Sequence, residues 1–213
     1  MSLLHRNLVR ERLQGFLEKA SPSGRVLDLG CGNSRYSALV GERVGFDRVF
    51  GIGVAVVGDA HALPFRPGVF DAVLSTEVLE HLTHPRESIA EVQRVLRSGG
   101  TLVLTTRFLF PVHESPWDHF RFTRFALEDL LAAWEDVEVL EEAGPFSTIA
   151  ILLQRIAWQA DLVGGRWSRA ILLAVAQLTA RCDWIARRTY GDRRRTTDVA
   201  AFTSGYHVRA RRP

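Results

Sequence analysis

Val26-Leu27-Asp28-Leu29-Gly30-Cys31-Gly32 decides the fold of this chain, because it is an apolar strand that ends in an acid and two glycines. Glycines at these positions let the backbone turn tightly and approach a ligand closely. Asp47 follows nineteen residues after Asp28, and an acid that ends the second strand can accept hydrogen bonds from both hydroxyls of a ribose. The spacing predicts a nucleoside-binding β-α-β crossover. Arg35 replaces the third glycine of the dinucleotide pattern, so the cofactor need not be a dinucleotide.

Four further motifs follow the glycine turn in order. They are Gly58-Asp59-Ala60-His61-Ala62-Leu63-Pro64-Phe65, Phe70-Asp71-Ala72-Val73, Glu77-Val78-Leu79-Glu80-His81-Leu82 and Val95-Leu96-Arg97-Ser98-Gly99-Gly100. The ordered set resembles a class I S-adenosylmethionine-dependent methyltransferase of the type 11 methyltransferase domain family, continuously over residues 24–130. Two features depart from that family. Ser34 stands where many members have a third glycine, and only about a dozen residues separate Asp47 from Asp59, which leaves no room for a full helix.

Strand and helix signals alternate along the chain, which predicts an α/β fold with a mainly parallel sheet covered on both faces. The resemblance implies a doubly wound, Rossmann-like sheet of seven strands whose last strand is antiparallel, with a helical insertion before it. Strands are predicted at 25–29, 44–47, 54–57, 69–75 and 101–106, with the last strand within 201–210. Helices are predicted at 3–17, 33–40 and from Pro85 through 87–96, the last of them ending at Gly99-Gly100.

A single domain is expected over residues 1–213, with a helical cover at 146–190. Two apolar stripes at helical spacing indicate two helices there. The stripes are Ile149, Leu152, Leu153, Ile156, Ala160 and Val163, then Ile171, Val175, Leu178, Cys182 and Ile185. The longest uncharged run, 170–180, is far shorter than the ~20 residues that cross a bilayer. A lid over an apolar acceptor, a homodimer face and a peripheral membrane surface all stay open.

The composition is that of a globular enzyme with one sizeable core: 213 residues, 46% hydrophobic and 24% charged. Cys31 and Cys182 are too far apart in sequence for a metal-binding motif and too few for a disulfide framework. Charged residues interrupt the apolar residues of 1–17, unlike the apolar core of a signal peptide. A cytoplasmic location is therefore expected. The net charge of +3 raises the question of nucleic acid. Lys19 is the only lysine and no RNA-binding aromatic signature accompanies the arginines, which disfavours that partner.

The resemblance implies S-adenosylmethionine as cofactor, with S-adenosylhomocysteine as product, and it assigns binding residues. Asp28, Leu29, Gly30, Cys31 and Gly32 would pass under the methionine portion and the ribose, and Asp47 would hold the ribose hydroxyls. Asp59 and Ala60 would face the adenine, and Ser75 and Thr76 would lie beside the methionine end. The plainer interpretations are that Asp59 is a turn acid and that Asp28 caps a helix.

The loop after the fifth strand, 107–123, carries the candidate catalytic residues. His113 and His119 could orient an acceptor or take its proton, and Glu114 and Asp118 stand beside them. The loop's aromatic residues could instead only pack, and Asp118 could pair structurally with Arg121. We predict methyl transfer to a small-molecule acceptor, apolar or lipid-linked, by O-methylation. A cofactor-binding protein without turnover is the alternative.

Glu77, Glu80 and His81 have the spacing that places three ligand-type side chains on one helical face. Some metal-dependent O-methyltransferases combine a similar segment with a downstream histidine, for which His119 is the counterpart here. The same segment is also frequent in relatives without a metal. The sequence therefore leaves metal outside the expected site.

Overall fold

The computed structural model describes residues 6–33, 36–40, 42–186 and 202–213. The helices are α1 (Leu8–Ala20), α2 (Pro85–Val95), α3 (Arg124–Leu130), α4 (Pro145–Gln159) and α5 (Arg166–Thr179). The strands are β1 (Arg25–Leu29), β2 (Glu42–Asp47), β3 (Val56–Val57), β4 (Phe70–Thr76), β5 (Leu96–Arg107), β6 (Glu135–Glu141) and β7 (Gly205–Arg211). Single 3-10 turns lie at Ser37–Leu39, Leu79–His81 and Asp183–Ala186.

The strands form one seven-stranded sheet in the order β3-β2-β1-β4-β5-β7-β6. Neighbouring strands from β3 to β5 run parallel, and β7 is antiparallel. The predicted doubly wound α/β fold is confirmed. In the register, Leu29 lies between Phe46 of β2 and Ser75 of β4. The carboxyl ends of these three strands therefore meet at one edge, where ligands bind in such sheets.

The sheet core follows from apolar runs in the central strands, which are buried on both faces as in other parallel sheets. Val26, Leu27 and Leu29 of β1 are buried, as are Val73 of β4 and Leu102 of β5. Helix α2 begins with Pro85 in its first turn, and it turns a buried stripe toward this core: Ser88, Ile89, Val92 and Val95. The strands that carry the site thus rest on a packed layer.

Each of the three helices predicted before residue 100 differs from the structure. α1 begins at Leu8 because the Asn7 side chain accepts a hydrogen bond from the Arg10 amide (3.2 Å), as an N-cap does. The described part of 33–40 holds only the turn Ser37–Leu39, because the chain must return to β2 at Glu42 within a few residues. α2 ends at Val95, not at the glycine pair.

The glycine pair lies inside β5, where it meets the end of the chain. The Gly99 amide donates to the Arg212 carbonyl (3.0 Å), and the Arg212 amide donates to the Gly100 carbonyl (2.8 Å). A side chain at Gly100 would lie 2.9 Å from the carbonyl oxygen of Arg97 and 3.1 Å from that of Asp71. These glycines therefore serve strand pairing rather than helix capping.

The chain divides into two compact units. One contains residues 14–108, 112–140 and 206–213, and the other contains the described parts of 1–13, 109–111 and 141–205. In the second unit α4 and α5 pack through small buried residues, which let two helices approach closely: Ala150 and Ala176. Gln154 is buried there, and its side chain accepts from the Leu8 amide (3.3 Å) and donates to the Arg6 carbonyl (2.7 Å).

The two helices expected at 146–190 are α4 and α5 as far as Thr179, and much of their apolar stripe is exposed. Ile171 and Leu178 are each 63% exposed and Trp167 is 69% exposed. Among the described residues, no helix is long and apolar enough to cross a membrane. Some residues of the sequence interpretation lie outside the described residues: Ser34, Arg35, Ala201 and the cluster Arg187, Arg188, Arg193, Arg194 and Arg195.

We expect Gly45→Ala to lower the free energy of unfolding by about 1–3 kcal/mol, because overpacking strains the backbone. A side chain at Gly45 would collide with the Gly53 carbonyl oxygen and lie 3.1 Å from Cys31 Sγ. Urea denaturation measures the change. Gly15→Ala is the matched control, since nothing lies within 4 Å of its added carbon inside α1. A helix gains up to about 1 kcal/mol from that change, and equal loss in both variants would contradict the steric account.

Candidate functional site

The glycine turn after β1 is held against β2 by its backbone. The amides of Gly30 and Cys31 both donate to the Phe46 carbonyl, at 2.8 and 3.1 Å. Gly30 (φ +70°) and Gly32 (φ +49°) have left-handed conformations that L side chains rarely adopt. A carbon added at Gly30 would collide with Val78, whereas one added at Gly32 would meet nothing within 4 Å. The turn therefore packs against Val78 at Gly30 and leaves open space at Gly32, so it can serve as a cradle for a ligand.

Asp47 ends β2 beside this turn and is oriented by it. The Gly32 amide donates to Asp47 Oδ2 (2.8 Å) and the Val49 amide donates to Oδ1 (3.1 Å). A carboxylate has about four acceptor positions, so both oxygens keep capacity for further donors. The acid predicted to hold the ribose hydroxyls thus lies next to the predicted cradle, and its geometry fits that role.

Asp59 follows β3, with 67% of its side chain exposed. Its Oδ1 accepts from the His61 amide (2.9 Å) and lies 2.6 Å from His61 Nδ1, and these two hydrogen bonds lower the pKa of Asp59. His61 Nε2 accepts from the His84 amide (3.2 Å), so Nδ1 carries the proton and donates to Asp59. Asp59 is therefore a charged, exposed acceptor, and the half-buried Ala60 follows it. His61 was missed in the sequence.

Asp28 is buried and paired with Arg43, whose Nε lies 2.7 Å from Asp28 Oδ2. Burial raises the pKa of Asp28, and the hydrogen bond and charge of Arg43 oppose that effect. Sequence reasoning missed Arg43. The available sequence signal was that Arg43, Gly45 and Asp47 alternate along β2 and therefore share one face of the sheet. Asp28 lies opposite Gly45 in the register, so Arg43 is its diagonal neighbour on that face.

The end of β4 carries a second polar network. Ser75 is buried beside Leu29, and Thr76 lies beside Thr105 of β5. Glu77 has φ +58°, a strained conformation for a residue with a side chain, which costs on the order of 1–3 kcal/mol. Thr105 stabilises it, because the Glu77 amide donates to the Thr105 carbonyl (3.1 Å) and Thr105 Oγ1 donates to Glu77 Oε1 (2.8 Å). Glu77 Oε2 forms an ion pair with the buried Arg107.

Glu80 and His113 lie close to each other beside the loop after β5. Glu80 is fully buried, and Thr106 Oγ1 donates to its Oε2 (2.8 Å). Burial, together with the neighbouring Glu77 charge, raises the pKa of Glu80 to about 8. His113 Nε2 lies 3.9 Å from Glu80 Oε1, and His113 Nδ1 lies 3.3 Å from Asp118 Oδ2. The imidazole thus lies between two carboxyl groups.

Asp118 is itself fixed by Arg121, whose two terminal nitrogens donate to its two oxygens at 2.6 Å each. This pairing holds the pKa of Asp118 far below its usual range. The structural pairing considered for these two residues is therefore present, and Asp118 also accepts from the His113 amide (2.9 Å). A carboxylate that Arg121 favours in its charged form lies beside Nδ1 and orients the His113 ring.

His119 lies differently from His113. It is exposed, its amide donates to the Glu80 carbonyl (2.9 Å), and its ring lies 6.4 Å from the Phe120 ring. His81 is the imidazole that stands beside His113, with ring centroids 4.8 Å apart. Of the two predicted catalytic histidines, the structure brings only His113 into the buried polar cluster. Glu114 is exposed.

A separate cavity of about 670 Å³ lies at the opposite edge of the sheet. Its lining comes from the amino ends of strands and the residues before them: Ser21, Pro22, Ser23, Gly24, Arg25, Ala38, Leu39, Val40, Glu42 and Asp71. None of the predicted site residues lines it. The glycine turn and Asp47 lie instead at the carboxyl edge, where Asp59 follows β3. Ligands bind at that edge in sheets of this kind.

Comparison with known proteins decides the family. A family model described as a methyltransferase domain matches residues 27–104, the span that contains the glycine turn, Asp47, Asp59 and the end of β4. The chain belongs to the class I S-adenosylmethionine-dependent methyltransferases. Its cofactor is S-adenosylmethionine and its reaction is methyl transfer.

Three relatives illustrate the range of this methyltransferase's similarity. An uncharacterized protein of Methanocaldococcus jannaschii is 30% identical over 60% of this chain and 67% of its own. A malonyl-[acyl-carrier protein] O-methyltransferase of Methylococcus capsulatus is 27% identical over 70% of this chain and 55% of its own. A tRNA (carboxymethyluridine(34)-5-O)-methyltransferase of Xenopus tropicalis is 32% identical over 44% of this chain and 17% of its own. The chain spans about two thirds of the first relative and less of the other two.

The methyltransferase also resembles solved structures. Phosphoethanolamine N-methyltransferase 2 of Haemonchus contortus, in complex with phosphomonomethylethanolamine and S-adenosylhomocysteine, superposes with a TM-score of 0.60. It is 18% identical, and the alignment covers 96% of this chain and 52% of that one. At this identity the likeness establishes the fold, and the acceptor must be argued from this chain's own residues.

Proposed function

We propose that this methyltransferase methylates an oxygen atom of a small-molecule acceptor, apolar or lipid-linked, and that His113 positions the acceptor or takes its proton. The observation that carries the proposal is the place of His113 between Asp118 and Glu80 on the loop after β5. A hydroxyl nucleophile must lose its proton near the transition state, and an oriented imidazole is suited to that task. His119, on the same loop, is the second candidate.

We assign the cofactor residues from the resemblance to the family. Asp47 would accept the ribose hydroxyls, and Asp59 with the Ala60 amide would meet the adenine edge. The turn from Asp28 through Leu29, Gly30, Cys31 and Gly32, together with Ser75 and Thr76, would contact the methionine portion. The open space above Gly32 beside Asp47 supports this assignment.

The chemistry asks the protein mainly for positioning. The bound cofactor supplies an activated methyl group on a sulfonium, whose positive charge disappears as the methyl group leaves. Holding two reactants in line contributes on the order of 7–11 kcal/mol at best. The rigid pair of Asp118 and Arg121 therefore serves the reaction by fixing His113 rather than by touching the methyl group.

The acceptor class rests on two observations. The Methylococcus capsulatus relative is named as an O-methyltransferase of malonyl-[acyl-carrier protein], which favours methyl transfer to oxygen and an acyl-linked acceptor. The α5 surface exposes Trp167, Ile171 and Leu178, which suits an apolar acceptor, a second copy of the chain or a membrane surface. Because one relative is named as a tRNA methyltransferase, the test below must also detect methylation of RNA.

Calorimetry followed by a labelled methylation screen tests the proposal. S-Adenosylmethionine and S-adenosylhomocysteine should bind and NAD should not. Deuterated-methyl cofactor should then label an acceptor in a metabolite extract or an acyl-carrier-protein mixture, and mass spectrometry should place the label on oxygen. Label on nitrogen or carbon, or label confined to RNA, would reject this acceptor assignment.

We expect Ile171→Asp combined with Leu178→Asp to leave S-adenosylhomocysteine affinity within about twofold and to change self-association or acceptor turnover, because charges abolish an apolar contact face. Sedimentation measures self-association, calorimetry measures the affinity, and a methylation assay measures turnover. Leu140→Asp is the matched control, since this leucine of β6 is also about half exposed. An unchanged oligomeric state and unchanged turnover would leave the α5 surface without a role in either.

A further inference from the structure

We propose that Arg48 and Trp117 form a clasp across the cofactor cleft, which covers bound S-adenosylmethionine and limits how fast the cofactor and its product exchange. The Arg48 guanidinium lies over the Trp117 indole, with its Cζ 4.3 Å from the centroid of the ring. Both residues belong to the unit that contains the sheet. The proposal deepens the proposed function and rests on its assignment of the cofactor to the glycine turn.

The clasp joins two segments that are far apart along the sheet. Arg48 follows Asp47 at the end of β2, and Trp117 lies on the loop that follows β5. β1 and β4 stand between those two strands, so three strand spacings separate their carboxyl ends by about 14 Å. A contact between the two segments must therefore cross the carboxyl edge in front of β1 and β4.

The edge that the clasp crosses is the one to which the cofactor is assigned. The carboxyl end of β1 is the glycine turn, with open space at Gly32, and β4 ends at Ser75 and Thr76. Asp47, next to Arg48, accepts from the Gly32 amide (2.8 Å). Ligands bind at this edge in sheets of this kind. The clasp therefore lies in the path by which the cofactor enters and leaves.

Each half of the clasp is held by its own segment. His81 Nδ1 lies 3.0 Å from the Trp117 carbonyl oxygen and donates to it, because that oxygen only accepts. On the other side, the Val49 amide donates to Asp47 Oδ1 (3.1 Å) and fixes the backbone around Arg48. Both backbones are thus anchored. The clasp opens by rotation of its two side chains rather than by movement of the whole loop.

The strength of the contact suits a clasp that opens readily. Arg48 is exposed, and Trp117 is 48% exposed. Loss of an exposed cation–π contact changes an equilibrium constant by about two- to fivefold, which is equivalent to about 0.5–1 kcal/mol. The clasp therefore slows exchange of the cofactor without trapping it. Such covering steps commonly control the release of product in enzymes.

Exchange of tritium-labelled S-adenosylhomocysteine tests the clasp without any acceptor. A rapid chase with unlabelled ligand gives the dissociation rate constant, calorimetry gives Kd, and their ratio gives the association rate constant. Arg48→Ala and Trp117→Ala should each raise both rate constants by about two- to fivefold. Kd should stay within about twofold, because the clasp is closed in both the free and the bound protein.

Conservative variants and a double variant separate the clasp from other roles. Trp117→Phe keeps an aromatic face and Arg48→Lys keeps a cation, so both should fall between the parent and the alanine variants. The double alanine variant should exchange no faster than either single one, since both changes remove the same contact. Arg66→Ala and Trp167→Ala are the matched controls and should exchange as the parent does. They alter an exposed arginine before β4 and a tryptophan of α5 that is 69% exposed.

Thermal denaturation establishes that each variant is folded. Unchanged rate constants in both alanine variants, or accelerations that multiply in the double variant, would overturn the clasp. A weaker Kd with an unchanged association rate constant would mean that the side chain touches the cofactor directly, which also rejects the clasp. Asp47→Ala tests the cofactor assignment separately. If that variant weakens binding while the clasp variants exchange as the parent does, the proposed function stands and the clasp does not.

Discussion

His113→Ala should lower methyl transfer by roughly 10- to 1000-fold while S-adenosylhomocysteine affinity stays nearly unchanged. The reason is that His113 is held between Asp118 and Glu80, whereas Asp47 and Asp59 are oriented by backbone amides of other segments. Steady-state kinetics on an identified acceptor and calorimetry with the product measure the two quantities. Binding and chemistry should therefore separate in this variant.

His119→Ala is the matched comparison on the same loop. His119 is exposed, so we expect the smaller loss of turnover there, although it remains a candidate for proton removal. Asp118→Asn should fall between the two, because it weakens the contact that orients the His113 ring without removing the imidazole. Full activity in both histidine variants would return the two side chains to a packing role.

Asp47→Ala should weaken S-adenosylhomocysteine binding by about 1.5–3 kcal/mol, which is roughly 10- to 150-fold in dissociation constant. Two ribose hydroxyls would lose a charged acceptor that the Gly32 and Val49 amides hold in place. Calorimetry on protein shown to be folded by thermal denaturation measures the change.

Two further variants sharpen this test. Asp47→Asn keeps one oxygen acceptor and removes the charge, so it should retain part of the affinity. Asp59→Ala should cost less than Asp47→Ala, because Asp59 is largely exposed. A folded Asp47→Ala protein that binds as tightly as the parent would mean that another acid serves the ribose.

The sheet could be predicted closely because its signals are local. β1 was placed to the residue, since an apolar run that ends in an acid and glycines has few alternatives. The antiparallel final strand followed from the family resemblance. The span 33–40 was harder, because its helical pattern competes with the short path back to β2. The Asn7 cap was a local signal that the apolar pattern outweighed.

The polar partners of the site were not predictable, because they depend on register and on loop paths. Arg43 of β2 reaches Asp28 of the adjacent strand β1 diagonally. This pair can be predicted only when the register between β1 and β2 is known. The choice between His113 and His119 depends on how the loop folds back toward Glu80. The need for glycine at position 45 depends on the backbone at Gly53, eight residues away in the chain.

The hydrogen bond from the Gly32 amide to Asp47 gives one carboxylate two duties. It braces the turn that would cradle the cofactor, and in our assignment it also recognises the sugar. Any replacement of this acid has two requirements to meet, because a side chain that suits a modified ribose must also brace the turn. Redesign of this enzyme for an altered nucleoside should therefore begin at the adenine edge, where Asp59 is exposed, and leave Asp47 in place.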